Sequence, residues 1–215
     1  MSKDYLPYLV ALSLLMLLHS VAGAAEITSG PDAADSPATL IQTTVNQLLV
    51  QLEDSHASPG DQPERLYVLV NDIVVPHLDM SRIARIVLGK YVRRIDTAGF
   101  AAFKAEFQTL LVRTYATSLA GYSGGQIDVL PARRADNGTA SVQMNVHRPG
   151  SQPVAITFLT HNRNGPWLVY DIRIEGISLV TNYRSEFASV LSNTDFEGLM
   201  VKLRARNRQP QLAAR

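Results

Sequence analysis

The chain has 215 residues, 46% of them hydrophobic and 18% charged, with a mean hydropathy of +0.01 and a formal net charge of +1. Those values fit one folded domain, or two small units packed compactly. There is no cysteine, which excludes disulfide staples, thiolate metal sites and cysteine nucleophiles, so an apolar core must carry the fold.

The first segment reads as an export signal. A short polar start, Met1 to Asp4, leads into an apolar run from Leu9 to Leu18, and Ala22-Gly23-Ala24 supplies a small-x-small cleavage pattern. Cutting is expected after Ala24 or Ala25, since the run is too short to span ~30 Å of hydrocarbon. No cysteine follows it to carry a lipid anchor, and no later apolar run is long enough to cross a bilayer. The mature protein, residues 25–215, is therefore expected to be soluble, periplasmic and not permanently inserted in a membrane.

Residues 25–36 read as a disordered lead-in. Ser36-Pro37 is a helix start, and Leu40, Ile41, Val45, Leu48, Leu49 and Leu52 recur at helical spacing to about Glu53. Ser58-Pro59-Gly60-Asp61 is a turn. A second helix is expected from Pro63 to Val75, stopped by Pro76. Asp79 caps a third, with Ile83, Ile86, Val87 and Leu88, closed by Gly89. Lys90 to Arg94 is a short basic-aromatic link. Thr97 is the expected cap of a long helix bearing Phe100, Phe103, Phe107, Leu110, Leu111, Thr114 and Leu119, ended by Gly121 and Gly124-Gly125.

The period then changes to alternation. Gln126–Leu130, Ser141–Val146, Val154–Thr160 and Trp167–Glu175 are expected strands, separated by Asn137-Gly138, Pro149-Gly150 and Asn164-Gly165-Pro166. In the last strand Leu168, Tyr170, Ile172 and Ile174 are expected on one face. Helical spacing returns through Asn182, Glu186 and Val190, and Asp195 caps a final helix with Phe196, Leu199, Met200 and Leu203. Lys202, Arg204, Arg206, Arg208 and Arg215 make residues 202–215 basic, either as a solvated helix end or as a contact for anionic lipid or an acidic partner. The order predicts an α+β fold, a curled antiparallel sheet of about four strands wrapped by N- and C-terminal helices in one domain, 37–207, before a basic tail, 208–215.

Catalytic patterns are poor. Gly121-Tyr122-Ser123-Gly124-Gly125 matches G-x-S-x-G, but a nucleophile elbow needs a strand before the serine and a helix after it, the reverse of the order here. None of His19, His56, His77, His147 and His161 has metal-ligand spacing. Asp171 and Glu175 share a strand with Arg173 between them, as a salt-bridged edge would. No basic-aromatic stacking pattern points to nucleic acid.

Several segments together resemble one family. They are Arg85-Ile86-Val87-Leu88-Gly89; Leu110-Leu111-Val112-Arg113-Thr114-Tyr115-Ala116; Trp167-Leu168-Val169-Tyr170-Asp171-Ile172; and Ile174-Glu175-Gly176-Ile177-Ser178-Leu179-Val180 with Asn182-Tyr183-Arg184. In this order they resemble the MlaC, or toluene-tolerance auxiliary, family of phospholipid ABC transport systems, from about Leu40 to Asn207. Lys90 to Arg94 departs from the Trp-Arg pair usual after Leu-Gly in that family. The resemblance implies a nuclear-transport-factor-like sheet wrapped by helices around phospholipid acyl chains. It also implies two partners, an inner-membrane Mla ABC transporter complex and an outer-membrane lipoprotein complex, and no cofactor or catalysis.

On that basis acyl chains are expected between the long helix (Phe103, Phe107, Leu110, Leu111, Tyr115, Leu119) and the inner sheet face (Val142, Met144, Ile156, Phe158, Leu168, Tyr170, Ile172, Ile174). Arg82, Arg85, Arg93, Arg94 and Arg113 are candidates for a headgroup site or docking face. Two alternatives stay open, a binding module for another apolar ligand such as a solvent or isoprenoid, and an esterase using Ser123.

Overall fold

The computed structural model describes residues 36–208 except 57–61, 121–124, 136, 148–149, 151 and 164. The expected leader, most of the lead-in, the Ser58–Asp61 turn, Ser123 and residues 209–215 lie outside the described residues.

Helix α1 spans Pro37–His56 and is capped as expected, the Ser36 hydroxyl oxygen accepting the Thr39 N–H at 3.1 Å. Helix α2 spans Gln62–Leu69 and continues differently from the single helix expected. It widens into a π turn over Val70–Val74 and tightens into a 3₁₀ turn over Val75–His77. Pro76 is the physical reason, because it offers no N–H and its ring crowds the carbonyl four residues back. Helix α3 spans Met80–Leu88 between its expected cap, Asp79, and Gly89 at φ +54°. The expected link then forms a 3₁₀ turn, Gly89–Arg94.

Helix α4 spans Thr97–Ala120, but its cap is Asp96, whose carboxylate accepts the Gly99 N–H at 2.7 Å, so Thr97 becomes the first helical residue. Helices α5, Leu179–Asn193, and α6, Phe196–Arg208, are capped by Ser178 and Asp195.

The sheet is antiparallel, with six strands where about four were expected. They are β1 Ile127–Val129, β2 Arg133–Ala135, β3 Thr139–Val146, β4 Val154–His161, β5 Leu168–Ile174 and β6 Ile177–Ser178. Strands β1 and β2 lie end to end along one edge of β3. Pro131 falls in the gap between them, where it has no N–H to give the ladder. Gly138, at φ +71°, makes the tight return from β2 into β3.

One register detail corrects the sequence reading. Leu159 pairs with Asp171, but Thr160 pairs with Val169, so Tyr170 is an extra residue bulged out of β5. The alternation therefore flips. Ile172 and Ile174 share the face of Val142, Met144, Ile156 and Phe158, whereas Leu168 lies opposite His161 on the other face. Val169, 2% exposed, takes the inward place instead.

Among the described residues three apolar clusters hold the fold. The largest is wholly helical and joins α3, α4, α5 and α6 through Ile83, Val87, Phe103, Phe107, Leu110, Tyr183, Phe187, Leu199 and Leu203. A second joins α1, α2 and the far side of α4 through Leu52, Leu66, Val70, Val112 and Ala116. The third seats α1 on the sheet through Ile41, Val142 and Val169, with Phe158 and Ile172 packed against it.

Asp79 ties the helical part to the sheet. One carboxylate oxygen accepts the Arg82 N–H at 2.9 Å, the other pairs with His161 Nε2 at 2.9 Å, and the Asp79 N–H donates to the Val169 carbonyl at 2.8 Å. His161 is buried, and its Nδ1 has no hydrogen-bond partner among the described residues. Asp79→Ala removes a cap worth ~1 kcal/mol and strands a buried imidazole at a further ~1–3 kcal/mol. A total loss of about 2–4 kcal/mol is expected in urea denaturation, with Asp79→Asn milder; a loss below ~1 kcal/mol would refute the account.

Candidate ligand-binding site

Two concavities in the described part of the molecule bear on ligand binding. The larger, about 300 Å³, is an open groove between α2, the π turn and α4, lined by Tyr67, Val68, Asn71, Asp72, Gln108, Thr109, Val112 and Arg113. Half of that wall is polar, which suits water better than hydrocarbon. The smaller, about 40 Å³, is more enclosed and lies where α3, α4, α5 and β5 meet. Leu78, Ile83, Phe107, Leu111, Ile172, Leu179, Val180 and Tyr183 line it, and Asp171 is the one carboxylate in its wall. The Asp171 carboxylate is engaged, accepting the Val180 N–H at 3.3 Å with the Arg173 guanidinium 3.7 Å away.

The position of the small cavity matters more than its size. Ile83, Phe107, Val180 and Tyr183 belong to the helical cluster, whereas Ile172 packs on the sheet cluster. The cavity therefore lies on the seam between two cores, with Leu78 packed against both.

The expected lining residues divide accordingly. Phe107, Leu111 and Ile172 line the cavity together. Phe103 and Leu110 are fully buried inside the helical cluster, where Phe103 stacks on Phe107 at 5.6 Å between centroids. Tyr115 is half-buried against the same cluster, and burial pushes its hydroxyl well above the usual phenol range, so it stays neutral. Leu119 is in the last turn of α4, its surroundings outside the described residues. Val142 is buried against Ile41 of α1 and Met144 is buried too, while Ile156, Phe158 and Ile174 remain half-exposed on that face. Leu168 and Tyr170 are turned away by the bulge. Sequence reasoning missed Leu78, Leu179, Val180 and Tyr183 as wall residues, and placed Ile83 in a helix without assigning it to the site. For Leu179, Val180 and Tyr183 a signal is the apolar spacing at the start of α5; Leu78 has none of that kind.

The arginine candidates also separate. Arg82 lies 4.2 Å over the Tyr170 ring and Arg85 4.9 Å over Phe100, while Arg93 and Arg94 are exposed at the end of the 3₁₀ turn. Arg113 sits instead over Tyr67 in the open groove.

Little here points to catalysis. No group of three metal-ligating side chains occurs among the described residues, and no described helix is long and apolar enough to cross a membrane. His147 Nε2 and Asp128 pair at 2.8 Å across β1 and β3, both well exposed. A helix ends before Ser123 and a strand begins after it, the order opposite to that of a nucleophile elbow, and Ser123 itself lies outside the described residues.

A family model described as MlaC protein matches residues 42–205. This chain belongs to the MlaC family. Two curated relatives agree with that placement. The toluene tolerance protein ttg2D of Pseudomonas putida is 27% identical over 160 residues, 74% of each chain. The intermembrane phospholipid transport system binding protein MlaC of Haemophilus influenzae is 23% identical over 188 residues, 86% of this chain and 88% of the relative. Among solved structures, the phospholipid-binding protein from Ralstonia solanacearum, in complex with a phospholipid, superposes with a TM-score of 0.73 at 28% identity, over 79% of this chain and 96% of that one. The mixed helical and curled antiparallel architecture expected from the sequence is thus an MlaC architecture.

Proposed function

We propose that this chain is a periplasmic phospholipid carrier that shuttles lipid between an outer-membrane lipoprotein complex and an inner-membrane Mla ABC transporter complex, and so maintains outer-membrane lipid asymmetry. The observation that carries the reading is the apolar cavity on the seam between two cores. The MlaC family match and the phospholipid held by the Ralstonia solanacearum relative support it.

Two acyl chains contain roughly 30 methylenes at ~0.8 kcal/mol each, so an unassisted crossing of water is prohibitive. A carrier must offer apolar volume in the range of ~300–1,000 Å³. The cavity of about 40 Å³ is the closed form of that volume, and chains entering the seam push the two cores apart. The phosphate stays at the mouth, because an unpaired charge inside would be costly, and headgroups are then weakly discriminated. Carrying needs neither nucleophile, metal nor cofactor, and the protein acts without catalysis.

Native mass spectrometry of the full-length chain expressed with its leader and recovered from the periplasm tests the reading. The expected mass is that of a chain beginning at Ala25 or Glu26 plus phospholipid. A different apolar adduct would favour another apolar ligand. Lysolipid and fatty acid in place of intact lipid, lost in Ser123→Ala, would favour the esterase. Protein without any adduct overturns the carrier.

A further inference from the structure

Helix α6 carries four cations, and two of them are matched, Arg204 by Glu106 and Glu197 at 3.5 Å each and Arg206 by Glu186 at 2.9 Å. Those around the 3₁₀ turn have no such match. From Met80 to Ile95 the sequence holds five cations and no acid. Arg85, Lys90, Arg93, Arg94 and, from α5, Arg184 are all exposed, and none makes an ion pair among the described residues.

The flanking acids are already committed, Asp79 to the Arg82 N–H and His161, and Asp96 to the Gly99 N–H. Arg184 lies over Gly89, so close that a β-carbon there would be 3.4 Å from its Nε, which joins α5 to the turn in one surface. Arg85 is held over Phe100 and Lys90 over Tyr91, which limits how far either can swing toward a distant acid.

We propose that this cationic face seats the protein on an anionic lipid surface. It lies on the outer side of the cavity's own walls. Ile83 lines the cavity from α3, which carries Arg85 outward, and Tyr183 lines it from α5 beside Arg184. Adsorption through this face holds both wall helices at the headgroup plane, where a lipid would enter or leave; that purpose rests on the carrier reading, while the adsorption does not.

A lipid surface fits better than a protein one because the face offers charge without anchors. The exposed large apolar residues, Val50, Val68, Leu130, Ile177 and Val201, all lie outside Met80–Arg94. Protein interfaces draw their energy from buried aromatic and apolar anchors. An anionic bilayer needs only the cations, each contributing about five-fold in binding.

Flotation of the leader-free chain with phosphatidylcholine vesicles, with and without phosphatidylglycerol, is the test. Binding is expected only to the anionic vesicles and should fade between ~0.1 M and ~1 M NaCl as the Debye length falls from ~10 Å to ~3 Å. Arg93→Glu/Arg94→Glu should lower it by about 30-fold or more. Arg133→Glu/Arg163→Glu, the same charge change on exposed cations elsewhere, should lower it far less. Equal losses in the two variants, or equal binding to neutral and anionic vesicles, overturn the proposal. Absent binding by a chain that still carries lipid in native mass spectrometry also overturns it, and hands the face to an acidic protein. Intact binding by a chain that never carries lipid sinks only the carrier reading.

Discussion

Ile172→Asp is expected to yield a folded protein that has lost its lipid. Ile172 lines the small cavity from the sheet side, opposite Leu111 and Phe107 of α4, and Asp171 already puts one carboxylate at that wall. A second carboxylate, without a hydrogen-bond partner, opposes acyl chains by several kcal/mol. Co-purified phospholipid per protein should fall at least ~10-fold, and Leu111→Asp should act the same way from the helical side. Ile177→Asp is the control, because Ile177 is 67% exposed two residues before α5. Circular dichroism separates lost lipid from lost fold. Full lipid loading in folded Ile172→Asp and Leu111→Asp would remove the seam as the acyl site.

Phe107→Ala should produce the largest loss of stability. Its ring is fully buried and contacts Phe103 at 5.6 Å, Tyr183 at 5.2 Å and Phe187 at 5.6 Å between centroids. Phe103 and Phe107 come from α4 and the other two rings from α5, so the contact joins helices far apart in the chain. Truncation removes the ring's transfer energy and leaves a hole that its aromatic neighbours cannot all close, about 3–5 kcal/mol. For a chain of this size the midpoint of thermal unfolding should drop by roughly 10 °C. A drop below ~2 °C would show that the helical cluster is not the main core.

Much of the fold is legible in the sequence because its signals are local. The caps at Ser36, Asp79 and Asp195 are short side-chain to backbone contacts, and a small polar residue before an apolar period announces them. Asn137-Gly138 announces its turn because glycine tolerates the positive φ, +71°, that Gly138 adopts there. The failures are also physical. Asp96 and Thr97 are adjacent and both can cap, and nothing in the pattern chooses between them. The bulge at Tyr170 adds one residue that alternation cannot distinguish from its neighbours, so alternation puts half of the β5 face on the wrong side.

The site is only partly legible. Phe107, Leu111 and Ile172 stand out because each lies on a periodic face. The rest of the wall comes from Leu78 and Ile83 on one side and Asp171, Leu179, Val180 and Tyr183 on the other, about 100 residues apart in the chain. That meeting is a tertiary event, and periodicity carries no information about it. The charged face is half visible. Its run over 82–94 stands out, but the chain terminus looks equally basic, and only the ion pairs of Arg204 and Arg206 show that part of α6 is neutralised at home.

The seam also changes what a melting temperature means for this molecule. The sheet core and the helical core meet at it, and a cargo lying between them belongs to both. On the carrier reading, bound lipid adds RT ln(1 + [L]/Kd) to the free energy of unfolding, about 2.7 kcal/mol when the ligand stands at a hundred times its dissociation constant. Protein purified with its cargo and protein stripped of it are then two thermodynamic species. On that reading, handing lipid to an acceptor withdraws that contribution from the donor, so each delivery leaves behind a less stable molecule until the next load is bound.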